Sequence, residues 1–398
     1  MRAAKLAVCV ALLLAIGKAA GQEGPVRQAG FKPFGQRTPP ACDCPPGTVL
    51  PSPPADPNAK VDPKVDPKMD MPPAMGDQFA GATEAGTQPG SQFNPNMFGD
   101  LIGISGRRNV VVPGQFVNIN PRRDGTPILV PATVTSQGLP IGPQYNGFKV
   151  TDNESPRPTN RLYFTYNHFS DVNRSLIPAS IPSVSIDRQL LGFERTFMQG
   201  NASFGMRLPF IQFNGSQGIE SNVVGDLSFL FKYAWLNDRE TGNVVSTGLI
   251  VTAPTGGGPD YVLSDGLTAP RSTLIQPWAG FIYNLPNLFF QGFSSIVVPT
   301  DSRDPTILFN SIGAGYWLYR NPKDRFITGF VPVLEFHLNT PLNHRNINDA
   351  IFFQDQFNIT TGAFVSFPRM TLGGAVCVPV VGPRPYDIEA IASLNFNF

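Results

Sequence analysis

The twelve residues from Asp387 to Phe398 restrict the possible folds of this chain more than any other stretch. In an extended strand, Ile388, Ala390, Ala392, Leu394, Phe396 and Phe398 share one face. Glu389, Ser393, Asn395 and Asn397 share the other, where Ile391 is the only apolar residue. Successive strand side chains point to opposite sides, so the segment has one apolar face and one wet face. Any half-buried strand alternates in this way. The pattern becomes specific only when it recurs at the length of a tilted membrane-crossing strand, about 9–11 residues.

It does recur from residue 160 onward. Strands are predicted at 161–169, 187–198, 201–211, 224–236, 243–254, 272–283, 287–298, 305–319, 326–339, 351–366, 370–381 and 387–398. Ala202, Phe204, Met206, Leu208 and Phe210 alternate with Ser203, Gly205, Arg207 and Pro209. Leu227, Phe229, Phe231, Tyr233 and Trp235 oppose Asp226, Ser228 and Lys232. Tight turns at 285–287 and 368–369 contrast with long polar links at 255–271, 299–305, 340–350 and 382–386. Short turns at one end and long loops at the other suit an outer-membrane barrel, as does an even strand count. A soluble sandwich also has many short strands, but it needs no aromatic residues at strand ends. Trp235, Tyr283, Tyr316 and Trp317 stand there like an interfacial girdle. The predicted class is all-β, a transmembrane antiparallel β-barrel of about 12 strands preceded by a Pro-rich disordered arm. Leu394, Phe396 and the terminal Phe398 resemble the C-terminal signal read by bacterial barrel-insertion machinery, which makes that machinery and outer-membrane lipid expected partners.

The other end of the chain carries an export pattern. A basic start (Arg2, Lys5) precedes an apolar run from Leu6 to Gly17 and small residues at Ala19, Ala20 and Gly21. This predicts a cleaved signal peptide over 1–21, with a run too short to span a bilayer. The expected location is the cell outer membrane. Residues 22–95 are rich in Pro, Gly, Gln and Asp, too poor in large apolar groups to offset their conformational entropy. The repeat from Lys60 to Lys68 biases this linker toward extended polyproline II. It reads as a solvated spacer, or as an arm reaching cell wall or envelope proteins. Residues 96–159 hold short strands at Val110–Val112, Phe116–Ile119 and Ile128–Val130, and form either a periplasmic element or a plug for the barrel of residues 160–398.

Charge and thiol content exclude several classes. A formal net charge of +1 argues against a nucleic-acid partner. Four cysteines, one of them inside the signal peptide, exclude a disulfide framework. Cys42 and Cys44 have no second ligand pair at metal-site spacing, so no metal and no cofactor is expected. Thr255-Gly-Gly-Gly258 lacks the lysine and helix of a phosphate loop. Charge facing lipid near the bilayer midplane costs about 2–4 kcal/mol for Arg or Lys. Arg207, Asp226, Ser228, Lys232, Glu335, His337, Glu389, Asn395 and Asn397 are therefore assigned to the lumen wall, with inward positions such as Ser228 in water and outward ones such as Phe229 in lipid. Glu335 and His337 share one inward face, an ion pair on a wet wall. Acyl-transfer chemistry would also need a serine beside them, and the sequence places none there. No catalytic residue is expected and the chain reads as a non-enzyme.

Gly225-Asp-Leu-Ser-Phe-Leu-Phe-Lys-Tyr233, followed by Gly248-Leu-Ile-Val-Thr-Ala-Pro-Thr-Gly256, resembles the MetA-pathway phenol-degradation family of outer-membrane barrels. The similarity covers about residues 190–398. It implies a transporter-like barrel that passes small, hydrophobic or aromatic molecules. The motif residues read as structural: Gly225 and Gly256 suit turns or close packing. The Pro-rich arm lies outside the family pattern. Two functions follow as expectations: passive passage of small solutes, or a closed barrel that tethers the outer membrane to the envelope through residues 22–95. Four basic residues before the barrel, Arg107, Arg108, Arg122 and Arg123, are expected to pair with Asp226, Glu335 and Glu389, so that part of residues 96–159 packs in or under the periplasmic mouth and narrows the channel.

Overall fold

The computed structural model describes residues 94–100, 105–118, 129–140, 149–172, 183–215, 220–257, 262–263, 265–346, 348–381 and 384–398. The signal peptide, nearly all of the Pro-rich segment, Cys42 and Cys44 lie outside these residues. The strands are β1 (Ser105–Asn118), β2 (Leu129–Pro140), β3 (Arg161–Ser170), β4 (Ser185–Phe197), β5 (Ala202–Asn214), β6 (Ser221–Val224), β7 (Leu227–Asn237), β8 (Val244–Ala253), β9 (Leu274–Asn284), β10 (Leu288–Pro299), β11 (Ile307–Tyr316), β12 (Tyr319–Arg320), β13 (Gly329–Pro341), β14 (Ile351–Phe352), β15 (Gln356–Ser366), β16 (Met370–Val381) and β17 (Ile388–Asn397).

Twelve of them close into an antiparallel barrel in the order β3-β4-β5-β7-β8-β9-β10-β11-β13-β15-β16-β17, and β17 pairs back onto β3. Leu394 faces Phe164 and Asn395 faces Tyr163 across that closing seam. Closure leaves no strand edge, so the wall can pair its backbone groups internally, as hydrocarbon requires. Both the expected class and the expected strand count hold.

Alternation decides the two faces. On β13, Phe330, Leu334, Phe336 and Leu338 are exposed outward, while Glu335 and His337 are fully buried inward. On β17, Glu389, Ile391, Ser393 and Asn395 are buried and Phe396 is exposed. One face turns outward with apolar side chains because those groups gain nothing from water.

Three details differ from the sequence reading. Residues 351–366 are not one strand: Ile351, Phe352 and Phe353 are buried in succession, which breaks the alternation, and β14 instead pairs with β1. Pro113 and Gly114 do not end a strand; they fall within a register shift of the β1–β2 ladder, between Val111 and Phe116, where a bulge tolerates proline and glycine. Trp317 leaves the girdle. Its backbone amide bonds Asn287 O at 2.8 Å, and its ring is buried beneath the Arg320 guanidinium, 4.5 Å from the ring centroid.

Both ends of the barrel sequence meet at one mouth, where Phe398 N donates to Asn160 O. The links 198–201, 238–243, 285–287 and 367–369 are at this end, together with the longer 317–328. The longer connections 254–273 and 342–355 are at the opposite end. Phe231 sits near the middle of β7, 46 % exposed and 5.1 Å from the Phe204 ring. Phe231→Arg is expected to cost about 2–4 kcal/mol, because the guanidinium must enter lipid. Phe231→Leu should cost less than about 1.5 kcal/mol. Urea unfolding of the two variants in lipid vesicles checks both values.

Candidate functional site

The lumen is occupied by two stretches of the chain's own residues. Asn94 enters at the short-turn mouth, where its side-chain amide donates to Asn284 Oδ1 at 2.7 Å. The chain rises to Asp100, whose carboxylate accepts from Asn339 and Asn358 at 2.8 Å each, toward the long-loop end. There β1 pairs β2, and β1 also pairs β14 in the 342–355 connection. The chain re-enters at Lys149 and descends past Arg157, which bonds Asn237 at 2.8 Å, to reach β3 at the first mouth. Rising and falling segments touch through an antiparallel bridge, Met97 to Glu154, closed by a 2.9 Å backbone bond. We refer to residues 94–100 and 149–157 as the inner segments.

Glu335 holds the rising segment. Its two carboxylate oxygens accept from the Phe98 and Gly99 amides at 2.9 and 3.0 Å. Two successive amides can aim at one carboxylate because Gly99 has φ +80. A side chain there would be strained, and its Cβ would meet Thr151 O at 2.9 Å. The Thr360 hydroxyl donates to Gly99 O at 2.9 Å. Phe98 stacks on Phe364 with ring centroids 4.1 Å apart. Met97 and Val150 pack with Leu230, Ile250, Trp278 and Phe293.

Opposite charges hold the rest. Asp100 pairs with Lys149 and lies 3.2 Å from His337 Nδ1. Asp152 meets Arg188 at 2.7 Å. Glu154 pairs with both Arg161 and Lys232. The wall's own Glu194 takes Arg161 at 2.9 Å, Lys232 at 2.8 Å and the Ser203 hydroxyl at 2.7 Å. Arg207 donates to the Asp152 and Lys149 carbonyls at 3.4 Å. Truncating one member of a buried ion pair leaves an uncompensated charge, which is strongly destabilising.

The candidate lining residues therefore fall into groups. Arg207, Lys232, Glu335, His337 and Asn395 contact the inner segments or lie within their network; Asn395 bonds Asn153 at 3.0 Å. Glu389 is buried against Asn167 at 2.8 Å and Tyr386 at 3.1 Å. Ser228 shares a 2.7 Å hydroxyl contact with Thr252 and is fully enclosed. It faces inward as expected, but it is closed off from bulk water rather than bathed in it. Asn397 is partly exposed near the short-turn mouth. Asp226 is not in a wall strand: it precedes β7 and accepts the Gly256 amide at 2.6 Å. Gly257 N reaches Val224 O at 2.9 Å, and Arg271 donates to Gly256 O at 3.0 Å. A Cβ on Gly256 would sit 2.8 Å from the Asp226 carboxylate. The two halves of the Gly-Asp-Leu and Pro-Thr-Gly motif thus meet as one loop clasp.

Among the described residues, the partners of Asp226, Glu335 and Glu389 include backbone amides, His337, Arg271, Asn167 and Tyr386. The arginines expected to pair with them, Arg107, Arg108, Arg122 and Arg123, have side chains outside those residues. On the wall from β3 to β7, the inner segments contribute the carboxylates of Asp152 and Glu154, which meet the wall's Arg188, Arg161 and Lys232. Arg161, Arg188 and Glu194 were legible by the same alternation that exposed Arg207. Asp100, Asp152 and Glu154 had no periodic signal to reveal them.

Ser311 stands 2.9 Å from His337 Nδ1, and Glu335 lies 3.4 Å from Nε2. Carboxylate, imidazole and hydroxyl do meet, but Asp100 shares the same ring nitrogen and Glu335 is committed to two amides. The three groups are buried in a polar network that also holds Asp100 and the Phe98 and Gly99 amides.

No family model matches the chain, and no curated protein matches it. Among solved structures, it is similar to the COG4313 outer membrane channel from Pseudomonas putida F1, at 13% identity over 61% of this chain and 96% of that one, with TM-score 0.45. It is similar to the KdgM porin at 10% identity over 60% and 99%, with TM-score 0.34. LpxR from Salmonella typhimurium is matched at 7% identity over 60% and 100%, with TM-score 0.38. The barrel assignment rests on the chain's own strand pairing.

Asp152→Asn and Arg188→Gln are each expected to cost about 3–5 kcal/mol, and the pair together less than the sum. Hydrogen exchange of residues 149–157 in the four-member mutant cycle measures this coupling.

Proposed function

We propose that this chain is an outer-membrane channel for passive passage of small solutes, held closed by residues 94–100 and 149–157. The observation that carries this reading is the chemistry of the filling. A permanently solid barrel would close best with apolar side chains meeting across the lumen. Here a separate stretch of backbone fills it, held by carboxylate–guanidinium pairs and amide bonds that water and ions can replace. The apolar outward face and the export pattern at residues 1–21 support the outer-membrane location. The lining supports a transport role rather than catalysis.

The MetA-pathway resemblance points toward hydrophobic or aromatic solutes. A lumen of Arg, Lys, Glu, Gln, Ser and Asn suits an aromatic solute that also carries polar or charged groups. The tether reading has its own support: Asn94 lies at the short-turn mouth, the periplasmic side in outer-membrane barrels, so an arm preceding it starts where the cell wall is. Conductance separates the two. Excising residues 22–159 should raise single-channel conductance of the refolded barrel well above that of the full chain. A tightly closed, folded barrel after excision would favour the tether.

The threading predicts topology too. β1 and β2 lie beyond the lumen at the long-loop end, which faces outside in such barrels. Val117 is 50% exposed on β1. Val117→Cys on intact cells should react with a membrane-impermeant maleimide. Protection until the envelope is permeabilised would place the hairpin on the inner side and reverse the threading.

A further inference from the structure

Four wall cations form one arc: Arg161 on β3, Arg188 on β4, Arg207 on β5 and Lys232 on β7, all nearly inaccessible to water. These strands are consecutive neighbours in the barrel. The adjoining arc from β8 to β10 is neutral, with Ser246, Thr252, Gln276, Gln291 and Ser295. Glu194 serves Arg161 and Lys232 from within the wall. The other carboxylates on the arc are brought by the inner segment: Asp152 on Arg188 at 2.7 Å, and Glu154 on Arg161 and Lys232. The arc therefore already binds two carboxylates that are not part of the wall.

We propose that this arc is a binding site for small organic acids, and that Asp152 and Glu154 are the chain's own occupants of it. The proposal rests on the channel reading and names its solute class. When residues 149–157 leave, Arg188 and Arg207 lose the Asp152 carboxylate and the Asp152 and Lys149 carbonyls. A guanidinium fork suits a carboxylate in two-point geometry. Low-dielectric walls focus the field of clustered cations and concentrate anions at them. An organic acid and the inner segment then compete for the same donors. The acid binds the open form better, so it shifts the population toward open.

The test uses the full chain carrying Asp152→Asn and Glu154→Gln, which keeps the inner segment but removes its two anions. Heat-modifiable mobility first establishes that the barrel is folded. Planar-bilayer recordings under a KCl gradient then give selectivity. Succinate is titrated as the probe, with the uncharged diamide succinamide as control. Expected are openings that prefer chloride to potassium, with a current blocked by succinate and not by succinamide. Adding Arg188→Gln and Arg207→Gln should weaken the succinate block by about tenfold or more, since each change removes a charged donor to the carboxylate. Openings without chloride preference, or blocked equally by succinate and succinamide, overturn the organic-acid site and leave the channel standing. A folded barrel that never opens overturns the channel reading itself, and this proposal with it.

Discussion

A barrel wall facing lipid on one side must send every charge to the other. Inside a barrel this narrow, each inward charge must find an opposite charge or a ring of donors, because little water remains to solvate it. Arg161, Arg188, Arg207 and Lys232 meet that demand on one arc, and Glu335 and Glu389 meet it elsewhere on the wall. The wall cannot satisfy all of them alone. The inner segments complete the set with Asp100, Asp152 and Glu154, and with the amides of Phe98 and Gly99. The position of the filling thus follows from the wall's electrostatics.

That dependence couples closure to composition. An apolar filling would be held by burial alone and would give no solute a reason to compete. Ionic contacts are strong in a low dielectric and weak once water enters, so such a filling is tight while dry and replaceable when wetted. The apolar grips, Phe98 on Phe364 and Met97 with Val150 against the Trp278 wall, set the register in which the charges meet. Gly99 provides the backbone turn that lets two amides reach Glu335.

The geometry of the loop end comes from different physics. The Asp226 carboxylate and Gly256 amide join two loops through a close approach that only glycine permits. The short motif that drew attention in the sequence is therefore a clasp at the rim. It supports the shape of the mouth and not the chemistry of the lumen, in keeping with fold and function being separate questions.

Strand identity, the two faces and the inward placement of Arg207, Lys232, Glu335, His337 and Glu389 were all determined by local sequence. Alternation has a period of two residues, and a strand between lipid and lumen must obey it at each position. The same rule failed where a residue left the wall: Trp317 folded inward, Asp226 became a loop clasp, Ile351 packed on Leu263 and Phe353 packed against Val297, Ile307 and Phe309. What only the tertiary structure decided was which residues fill the lumen and with what sign. Contacts such as Asn96 to Asn395 and Asn358 to Asp100 span hundreds of residues. Their partners are brought together by barrel closure and by threading of the chain through it, and no periodicity in the sequence encodes either.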